Sequence, residues 1–266
     1  MLQLTIEQKI YHTLRIAIAM CFIGHGAFGI ITKPIWCNYF AVFGISHDSA
    51  YRLMPIVGTF DILMGIAVLF FPVVAIPAWL AIWGIVTALL RPLSGEPFGE
   101  FIERAGNFGA PIALLLLLGN NKRNIIDWFK RINSNALSSH NLSMVIICLR
   151  VIVFLLFAGH GLLNIIERQG LLNQYASLGL SNNTAVARIV GTLEIIAALI
   201  VLVKPLPHIV LGLFIWKMGT ELFYPHYEIF EWIERGGSYG SILALWFALK
   251  GSPIWIMNKK TKPLIG

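Results

Sequence analysis

Residues 14–26 read LRIAIAMCFIGHG, and residues 149–161 read LRVIVFLLFAGHG. The two stretches share the arginine at their second position and the histidine of the final GHG, which is His25 in the first copy and His160 in the second. Apart from these residues both stretches are largely apolar, and an apolar run of this kind predicts a buried or membrane-spanning helix. Because the same polar pattern occurs twice, an internal repeat is the feature that decides the fold.

The similarity continues in the same order along both halves of the chain. Four further pairs of stretches align, which are 38–46 with 173–181, 52–69 with 187–202, 83–92 with 216–225, and 101–115 with 232–246. Their polar landmarks fall in register, for example Asp61 with Glu194 and Gly58 with Gly191. Unrelated apolar segments would not keep such landmarks in order, so we interpret the chain as a tandem duplication.

The composition indicates a membrane protein. Of the 266 residues, 57% are hydrophobic and 12% are charged, and the mean hydropathy is +0.76. Soluble domains carry about 25% charged residues, so this chain has too few charges to cover a surface in water. The formal net charge of +7 comes from basic residues near predicted helix ends and in one connector, which membrane topology explains better than nucleic-acid binding. The three cysteines form no C-x-x-C pair, which argues against thiol exchange.

Each half contains four apolar segments, and these predict eight membrane spans. The first-half segments are 12–32, 53–72, 74–91 and 104–119, and the second-half segments are 143–165, 187–203, 206–224 and 237–257. An even number of spans in each half gives both halves the same orientation. The predicted fold class is therefore an all-α polytopic membrane protein, with eight transmembrane helices arranged as two parallel four-helix repeats.

Three regions follow from this division: a first four-helix repeat at 1–119, a basic connector at 120–142 and a second four-helix repeat at 143–266. Basic residues in loops mark the cytoplasmic side of a membrane protein. The connector and the C-terminal stretch MNKKTKPLIG are basic, so we expect the connector and both termini in the cytoplasm. The connector motif IIDWF, at 125–129, also predicts a short amphipathic helix in the membrane interface.

Ionisable residues inside apolar segments are the strongest functional candidates, because burying a charge in a membrane is costly. His25 and Asp61 lie at similar predicted depths on consecutive helices, so we expect a contact between them. The duplication predicts the equivalent contact between His160 and Glu194. These four residues are the catalytic candidates, as groups that bind a ligand or relay a proton. The alternative is that both pairs only hold helices together, as polar residues flanked by glycine do in membranes.

A second set of polar residues opens the fourth apolar segment of each half. Glu103 and Arg104 correspond to Glu234 and Arg235. Adjacent residues point in different directions on a helix, so we expect each of them to reach other helices rather than its neighbour. The alternative is that the arginines anchor the helices at the level of the lipid headgroups. The ligand-binding candidates are Arg91, Glu103, Arg104, Asn107, Glu234 and Arg235.

Two positions differ between the halves. Arg91 ends the third segment of the first half, where the second half has Tyr224, so one half keeps a group able to bind an anion or a carbonyl. Cys21 and His25 are spaced i, i+4, which suits a metal ion. Leu156 replaces the cysteine in the second copy, and we assign no metal site.

These motifs resemble the DoxX-like family of four-helix membrane proteins. The shared features are the GHG near the end of a first helix, a Gly-x-x-acid motif in a second helix, and a glutamate before GNFG at 106–109 that opens a fourth. The resemblance covers both halves, here as a tandem duplication. It implies a helical bundle in a prokaryotic inner membrane that contacts quinone, with a redox partner subunit. It also implies roles for His25, Asp61, Glu103 and their second-half counterparts.

Three functions stay open at the level of the sequence. The first is a quinone-linked redox or redox-accessory component, in which a His–carboxylate pair bonds a quinone carbonyl and relays its proton. The second is a b-type haem protein, in which His25 and His160 bind one iron from opposite faces. The third is a transporter or channel for a small molecule or ion, since parallel repeats are a known transporter architecture. The residues alone assign neither an enzymatic activity nor a cofactor.

Overall fold

The computed structural model describes residues 4–119, 124–222 and 229–251. These residues are predominantly helical, and within them the only β pairing is an isolated bridge between Val73 and Arg131. The helices of the first half are α1 (Ile6–Ile30), α2 (Trp36–Ala41), α3 (His47–Phe70), α4 (Ala75–Leu93), α5 (Gly99–Glu103) and α6 (Ala105–Leu118). Those of the second half are α7 (Leu142–Ile165), α8 (Gln169–Ser177), α9 (Asn183–Val203), α10 (Pro207–Glu221), α11 (Ile229–Glu234) and α12 (Gly236–Gly251). The prediction of an all-α fold is confirmed for the described residues.

Each of the eight predicted apolar segments contains a helix, and five helices in the described residues are long and apolar enough to cross a membrane. The five are Ile6–Ile30, His47–Phe70, Ala75–Leu93, Ser139–Ile165 and Asn183–Val203. The fourth consists of α7 and the 3₁₀ turn that precedes it. Helices α6, α10 and α12 have 14, 15 and 16 described residues, fewer than the roughly 20 residues of a typical span. The helices are consistent with an integral, multi-pass membrane protein, and the arrangement of eight spans stays a prediction.

Helices α1 and α3 pack against each other at glycines, where their backbones approach closely. A side chain at Gly26 would overlap the backbone oxygen of Gly58, and a side chain at Gly58 would overlap the backbone oxygen of Gly26. Helices α7 and α9 meet in the same way at Gly161 and Gly191. Small residues permit this approach between apolar helices, and it brings the histidine of each first helix within reach of the next helix.

The two halves are interleaved. Helix α1 packs on α11 and α12 of the second half, and α7 packs on α5 and α6 of the first half. A Cβ atom at Gly24 would collide with the backbone of Glu234, and a Cβ atom at Gly159 would collide with the backbone of Glu103. The glycine before each histidine therefore brings the Glu-Arg motif of the opposite half against the helix that carries the histidine.

Arg15 and Arg150 bind the carbonyl end of the second long helix in their own half. Arg15 Nε donates to the backbone oxygen of Val68 at 3.0 Å, and its Nη2 donates to that of Leu69. Arg150 Nη2 donates to the backbone oxygen of Val203 at 3.1 Å. Because the last carbonyls of a helix lack helical partners, each guanidinium satisfies groups that lipid could not.

The connector differs from its prediction as an amphipathic helix. Ile125–Trp128 forms a single 3₁₀ turn, and its apolar side chains are largely exposed. Asp127 accepts a hydrogen bond from the backbone of Asn124 at 3.2 Å, and this bond is half of a capping box at the start of the turn. Residues 120–123, Tyr224 and the basic tail at 257–266 lie outside the described residues.

We expect Gly24→Ala to lower the melting temperature of the purified protein. The new methyl group would collide with the backbone of Glu234, and overpacking of this kind costs about 1–3 kcal/mol. Gly212→Ala is the matched control, because open space surrounds that helical glycine and alanine has the higher helix propensity. Thermal unfolding of both variants in detergent measures the difference. Equal melting temperatures would contradict the close packing of α1 on α11.

Candidate functional site

A histidine, a carboxylate and a tryptophan form one hydrogen-bonded unit in the first half. His25 on α1 places its Nδ1 2.8 Å from Asp61 Oδ2 on α3. Trp83 on α4 donates its Nε1 hydrogen to Asp61 Oδ1 at 2.8 Å. Asp61 is fully buried, so these two bonds give each carboxylate oxygen the partner that burial requires.

The second half forms the equivalent unit. His160 Nδ1 on α7 lies 2.6 Å from Glu194 Oε2 on α9, and Trp216 Nε1 on α10 donates to Glu194 Oε1 at 3.0 Å. This half adds Asn164, which donates to the backbone oxygen of His160 and accepts from the Tyr175 hydroxyl at 2.7 Å. The structure thus forms both of the His–carboxylate contacts that the sequence predicts.

The tryptophans of these units are absent from the candidates that sequence reasoning selects. Trp83 and Trp216 nevertheless open the aligned stretches 83–92 and 216–225, so the repeat contained the signal. A tryptophan in an apolar segment is usually a packing residue, and its N–H becomes informative only when its acceptor is known. The acceptor lies on another helix in both halves, which the linear sequence does not show.

Each carboxylate determines which nitrogen of its histidine carries the proton. A carboxylate that bonds Nδ1 accepts a hydrogen from it, so the neutral ring keeps its lone pair on Nε2. Among the described residues, Nε2 of His25 has no hydrogen-bond partner, and the His25 ring packs on Trp36 with ring centroids 4.7 Å apart. His25 is therefore arranged to accept a hydrogen bond or a proton at Nε2.

Three cavities adjoin the two histidines. The first pocket has a volume of about 80 Å³ and is lined by His25. The central cavity, of about 210 Å³, is lined by both His25 and His160. The second pocket, of about 280 Å³, is lined by His160. Each histidine thus borders the central cavity and one of the two pockets.

The first pocket combines an aromatic lining with hydrogen-bonding groups. Its aromatic lining comprises Trp36, Tyr39, Phe40, Phe43 and Trp83, and its polar lining includes His25, Arg91, Arg104, Asn107 and Glu234. Asn107 is 8% exposed, and its amide has no hydrogen-bond partner among the described residues. Apolar walls with a few convergent polar groups are typical of a site for a small molecule.

The second pocket differs from the first at two aligned positions. At aligned positions Gln174 stands in place of Tyr39, and Glu221 stands in place of Ala88. Glu221 lies 2.6 Å from Lys217 Nζ, and Lys217 is only 1% exposed. The first pocket has five aromatic side chains in its lining and the second has two, Tyr175 and Trp216, so the first is the better site for stacking on a flat ring.

Ion pairs between the two halves line the central cavity. Lys33, which follows α1, binds Glu231 on α11, and Arg168, which follows α7, binds Glu100 on α5 at 3.1 Å. Lys33 and Arg168 occupy equivalent positions after the two GHG motifs. Sequence reasoning misses all four residues, because each pair joins a loop to a short helix of the opposite half.

The Glu-Arg motifs lie in the wall of the same cavity. Glu103 accepts a hydrogen bond from Arg235 at 2.8 Å, and Lys217 Nζ lies 3.6 Å from its carboxylate. Arg104 Nη1 lies 2.7 Å from Glu100 and 3.6 Å from Glu103. Glu103 therefore reaches other helices as expected, whereas its expected separation from Arg104 is wrong. The backbone of Arg104 is non-helical between α5 and α6, and this break lets the two neighbours approach.

Arg91 is engaged with carboxylates of its own half. Its Nη1 donates to Glu96 Oε2 at 3.3 Å and lies 3.6 Å from Glu100 Oε2. Tyr39 donates its hydroxyl hydrogen to Glu96 Oε1 at 2.5 Å. The guanidinium thus neutralises two glutamates at the edge of the first pocket, and a direct role of Arg91 toward a ligand stays a prediction.

The acidic residues of the Glu-Arg motifs are ionised. Burial opposes the ionisation of Glu103, but the charges of Arg235 and Lys217 outweigh it and hold the pKa of its carboxyl well below the ordinary value. Burial likewise opposes the ionisation of Glu234, but the charges of Arg104 and Arg235 hold its pKa below the ordinary value. Both carboxylates are negative at neutral pH, so the central cavity contains fixed charges of both signs.

Neither a protein-family model, nor a curated protein, nor a solved structure matches this chain. Within the described residues, no group of three or more histidine, cysteine, aspartate or glutamate side chains is arranged to hold a metal ion. The fold and the site define the class of protein: a helical, multi-pass membrane protein with buried His–carboxylate–Trp units. The function is inferred from the geometry of those units and of the cavities beside them.

We expect the neutral ring of His25 to carry its proton on Nδ1 and its lone pair on Nε2. The Asp61 carboxylate accepts the Nδ1 hydrogen and holds this tautomer. Nitrogen NMR of histidine-labelled protein measures the tautomer, and His25→Gln identifies the signal. In Asp61→Asn the neutral ring becomes a mixture of both tautomers. A neutral His25 protonated on Nε2 in the unchanged protein would contradict the arrangement.

Proposed function

We propose that this protein is a quinone-linked redox or redox-accessory component of a membrane, and that the quinone ring binds in the first pocket. One observation carries the proposal. The unit of His25, Asp61 and Trp83 leaves Nε2 of a pocket-lining histidine without a partner among the described residues. That nitrogen is available to an oxygen of a ring held between aromatic side chains.

The lining of the first pocket suits a flat ring with an apolar tail. Aromatic faces stack on a flat conjugated ring, and this contact adds to the gain from burying apolar area. Asn107 offers a second hydrogen-bonding group to the ring oxygens. Phe43 lines the pocket and is 62% exposed, so the pocket opens at the surface of the bundle. An apolar tail attached to the ring would leave through this opening into lipid.

His25 would act as the general acid or base at a ring oxygen. A quinone supplies a ring that takes up two electrons and two protons, and the protein supplies binding and proton transfer. Asp61 stabilises the positive charge that His25 gains when Nε2 takes a proton, and Trp83 keeps the carboxylate in place. An acid or base positioned in this way contributes about 10²–10⁴-fold to the rate of a proton transfer.

The wider architecture is part of the same proposal. The equivalent contacts at Asp61 and Glu194, and the equivalent packing at Gly58 and Gly191, support two parallel four-helix repeats. With them we propose eight spans, cytoplasmic termini, an inner-membrane location and a place in the DoxX-like family. A redox partner subunit would supply or remove the electrons of the ring.

The haem alternative does not fit the central cavity. A haem iron bound by both His25 and His160 would place the porphyrin in the central cavity, which both histidines line. The lining of that cavity includes ten charged side chains: Lys33, Arg91, Arg104, Arg168, Arg235, Glu100, Glu103, Glu221, Glu231 and Glu234. Burying a largely apolar macrocycle against them would leave charges without solvent, so we do not propose a haem.

The central cavity itself favours transport as the second candidate function. It has a volume of about 210 Å³, both histidines border it, and its walls carry charges of both signs. A polar solute or ion would find partners there that lipid does not provide. Flux through reconstituted vesicles that is lost in His160→Gln and retained in the unchanged protein would support transport over quinone binding.

We expect the purified protein to bind a decyl-substituted hydroquinone, whose hydroxyl can donate to Nε2, and His25→Gln to weaken this binding about five- to tenfold. Removing one hydrogen bond to a buried ligand costs about 1–1.5 kcal/mol, and 1.4 kcal/mol corresponds to a factor of ten. Quenching of tryptophan fluorescence in nanodiscs measures the affinity, since Trp36 and Trp83 line the pocket.

The control for this experiment is His47→Gln. His47 is an exposed histidine at the start of α3 that lines none of the three cavities, so its replacement leaves the affinity unchanged. If the unchanged protein binds no hydroquinone, or if the two variants bind it equally, a quinone-class ring is not the ligand of the first pocket.

A further inference from the structure

The two glutamates of the Glu-Arg motifs are equivalent in sequence but not in their contacts. Glu103 is bound by Arg235 at 2.8 Å and lies 3.6 Å from Lys217. Glu234 is 6% exposed, yet in the described part of the chain its carboxylate has neither a hydrogen-bond partner nor an ion-pair partner. It lines both the first pocket and the central cavity. A buried, charged acceptor without a partner calls for a ligand or a solvent molecule.

The lack of a partner at Glu234 has two identifiable causes. Arg104 is the counterpart of Arg235, but it binds Glu100 through the carboxylate at 2.7 Å and through the backbone oxygen at 3.1 Å. The counterpart of Lys217 is Gly84, which has no side chain to offer. The first half therefore cannot repeat toward Glu234 the contacts that the second half makes with Glu103.

Two hydrogen-bond acceptors consequently line the first pocket. Glu234 is ionised, because Arg104 and Arg235 outweigh the effect of burial and hold its pKa below the ordinary value. His25 keeps the lone pair of its neutral ring on Nε2. Both groups need a donor, and a carboxylate left without one in a buried site is unfavourable.

Two arginines in the wall of the pocket are engaged by carboxylates. Arg91 bonds Glu96, and Arg104 bonds Glu100. The Nε of Arg104 has no partner, but it is itself covered by surrounding atoms and does not reach the cavity. Asn107 can donate or accept, so it satisfies either kind of ring oxygen.

We propose that the first pocket binds the reduced, dihydroxy form of an aromatic ring in preference to the oxidised dione, with Glu234 and Nε2 of His25 accepting the hydroxyl hydrogens. This inference rests on the proposed function, since it takes a quinone-class ring as the ligand. A dihydroxy ring brings two O–H donors to two acceptors, whereas a dione brings only further acceptors. The pocket is thus a site for the quinol, and Glu234 is the group that distinguishes the two redox states.

The experiment compares the two redox forms of one ligand. Decyl-benzoquinone and its hydroquinone are titrated into the purified protein in nanodiscs without oxygen, and the affinities are read from tryptophan fluorescence. We expect the hydroquinone to bind at least tenfold more tightly than the quinone. Preferential binding of this size would raise the midpoint potential of the bound couple by about 30 mV.

The variant Glu234→Gln removes the charge and adds a donor at nearly constant shape. We expect it to abolish the preference for the hydroquinone, chiefly by weakening hydroquinone binding. The matched control is Glu167→Gln, which alters a surface carboxylate bonded to Arg188 at 2.8 Å and leaves the preference intact.

A second measurement needs no variant and therefore does not depend on the folding of Glu234→Gln. A 4-methoxyphenol with the same substituents keeps the ring and one hydroxyl group but loses one O–H donor, and we expect it to bind at least fivefold more weakly than the hydroquinone. Equal affinities for hydroquinone and quinone, or an undiminished preference in Glu234→Gln, would overturn the inference while leaving quinone binding in place. Absence of binding by either form would overturn the proposed function as well.

Discussion

The close approach of α1 to α3, repeated between α7 and α9, is the constraint on which the rest of the structure depends. Gly26 and Gly58 leave no space for a side chain between the two backbones. At that separation His25 reaches Asp61 at 2.8 Å, and the fully buried carboxylate is satisfied. Wider spacing would leave a charge buried in apolar surroundings without a partner, which costs several kcal/mol. The close packing at the glycines and the pairing of the buried carboxylate therefore depend on each other.

The same logic extends across the two halves. Glycines before the histidines bring the short helices α5 and α11 against the first helix of the opposite half. Charges then meet in pairs, with Arg235 on Glu103 and Lys33 on Glu231. Each half supplies some of the countercharges of the other, so the polar cavity between them forms only when both halves are folded together. An isolated repeat would expose these charges to lipid, where ionisable groups are unfavourable.

The departures from symmetry explain why the two pockets differ. The second half places the buried pair of Lys217 and Glu221 where the first half has Gly84 and Ala88. Glu221 of this pair lines the second pocket, and Lys217 lies 3.6 Å from Glu103. The first pocket keeps its aromatic lining and borders the unpaired Glu234. The two halves thus share a similar frame, and a few differences between them give the first pocket its aromatic lining and its unpaired glutamate.

The sequence by itself determined the all-helical class, the apolar helices and the pairing of His25 with Asp61, because composition and an in-register repeat depend only on the order of residues. It did not determine the roles of Trp83 or Lys33, or the break at Arg104 that brings Glu103 beside it. Those features depend on which helices are neighbours across the two halves, and contacts between distant segments leave no periodic trace in the chain. Only the tertiary structure decided that Glu103 is paired and Glu234 is not, since two equivalent residues acquire different partners through the packing around them.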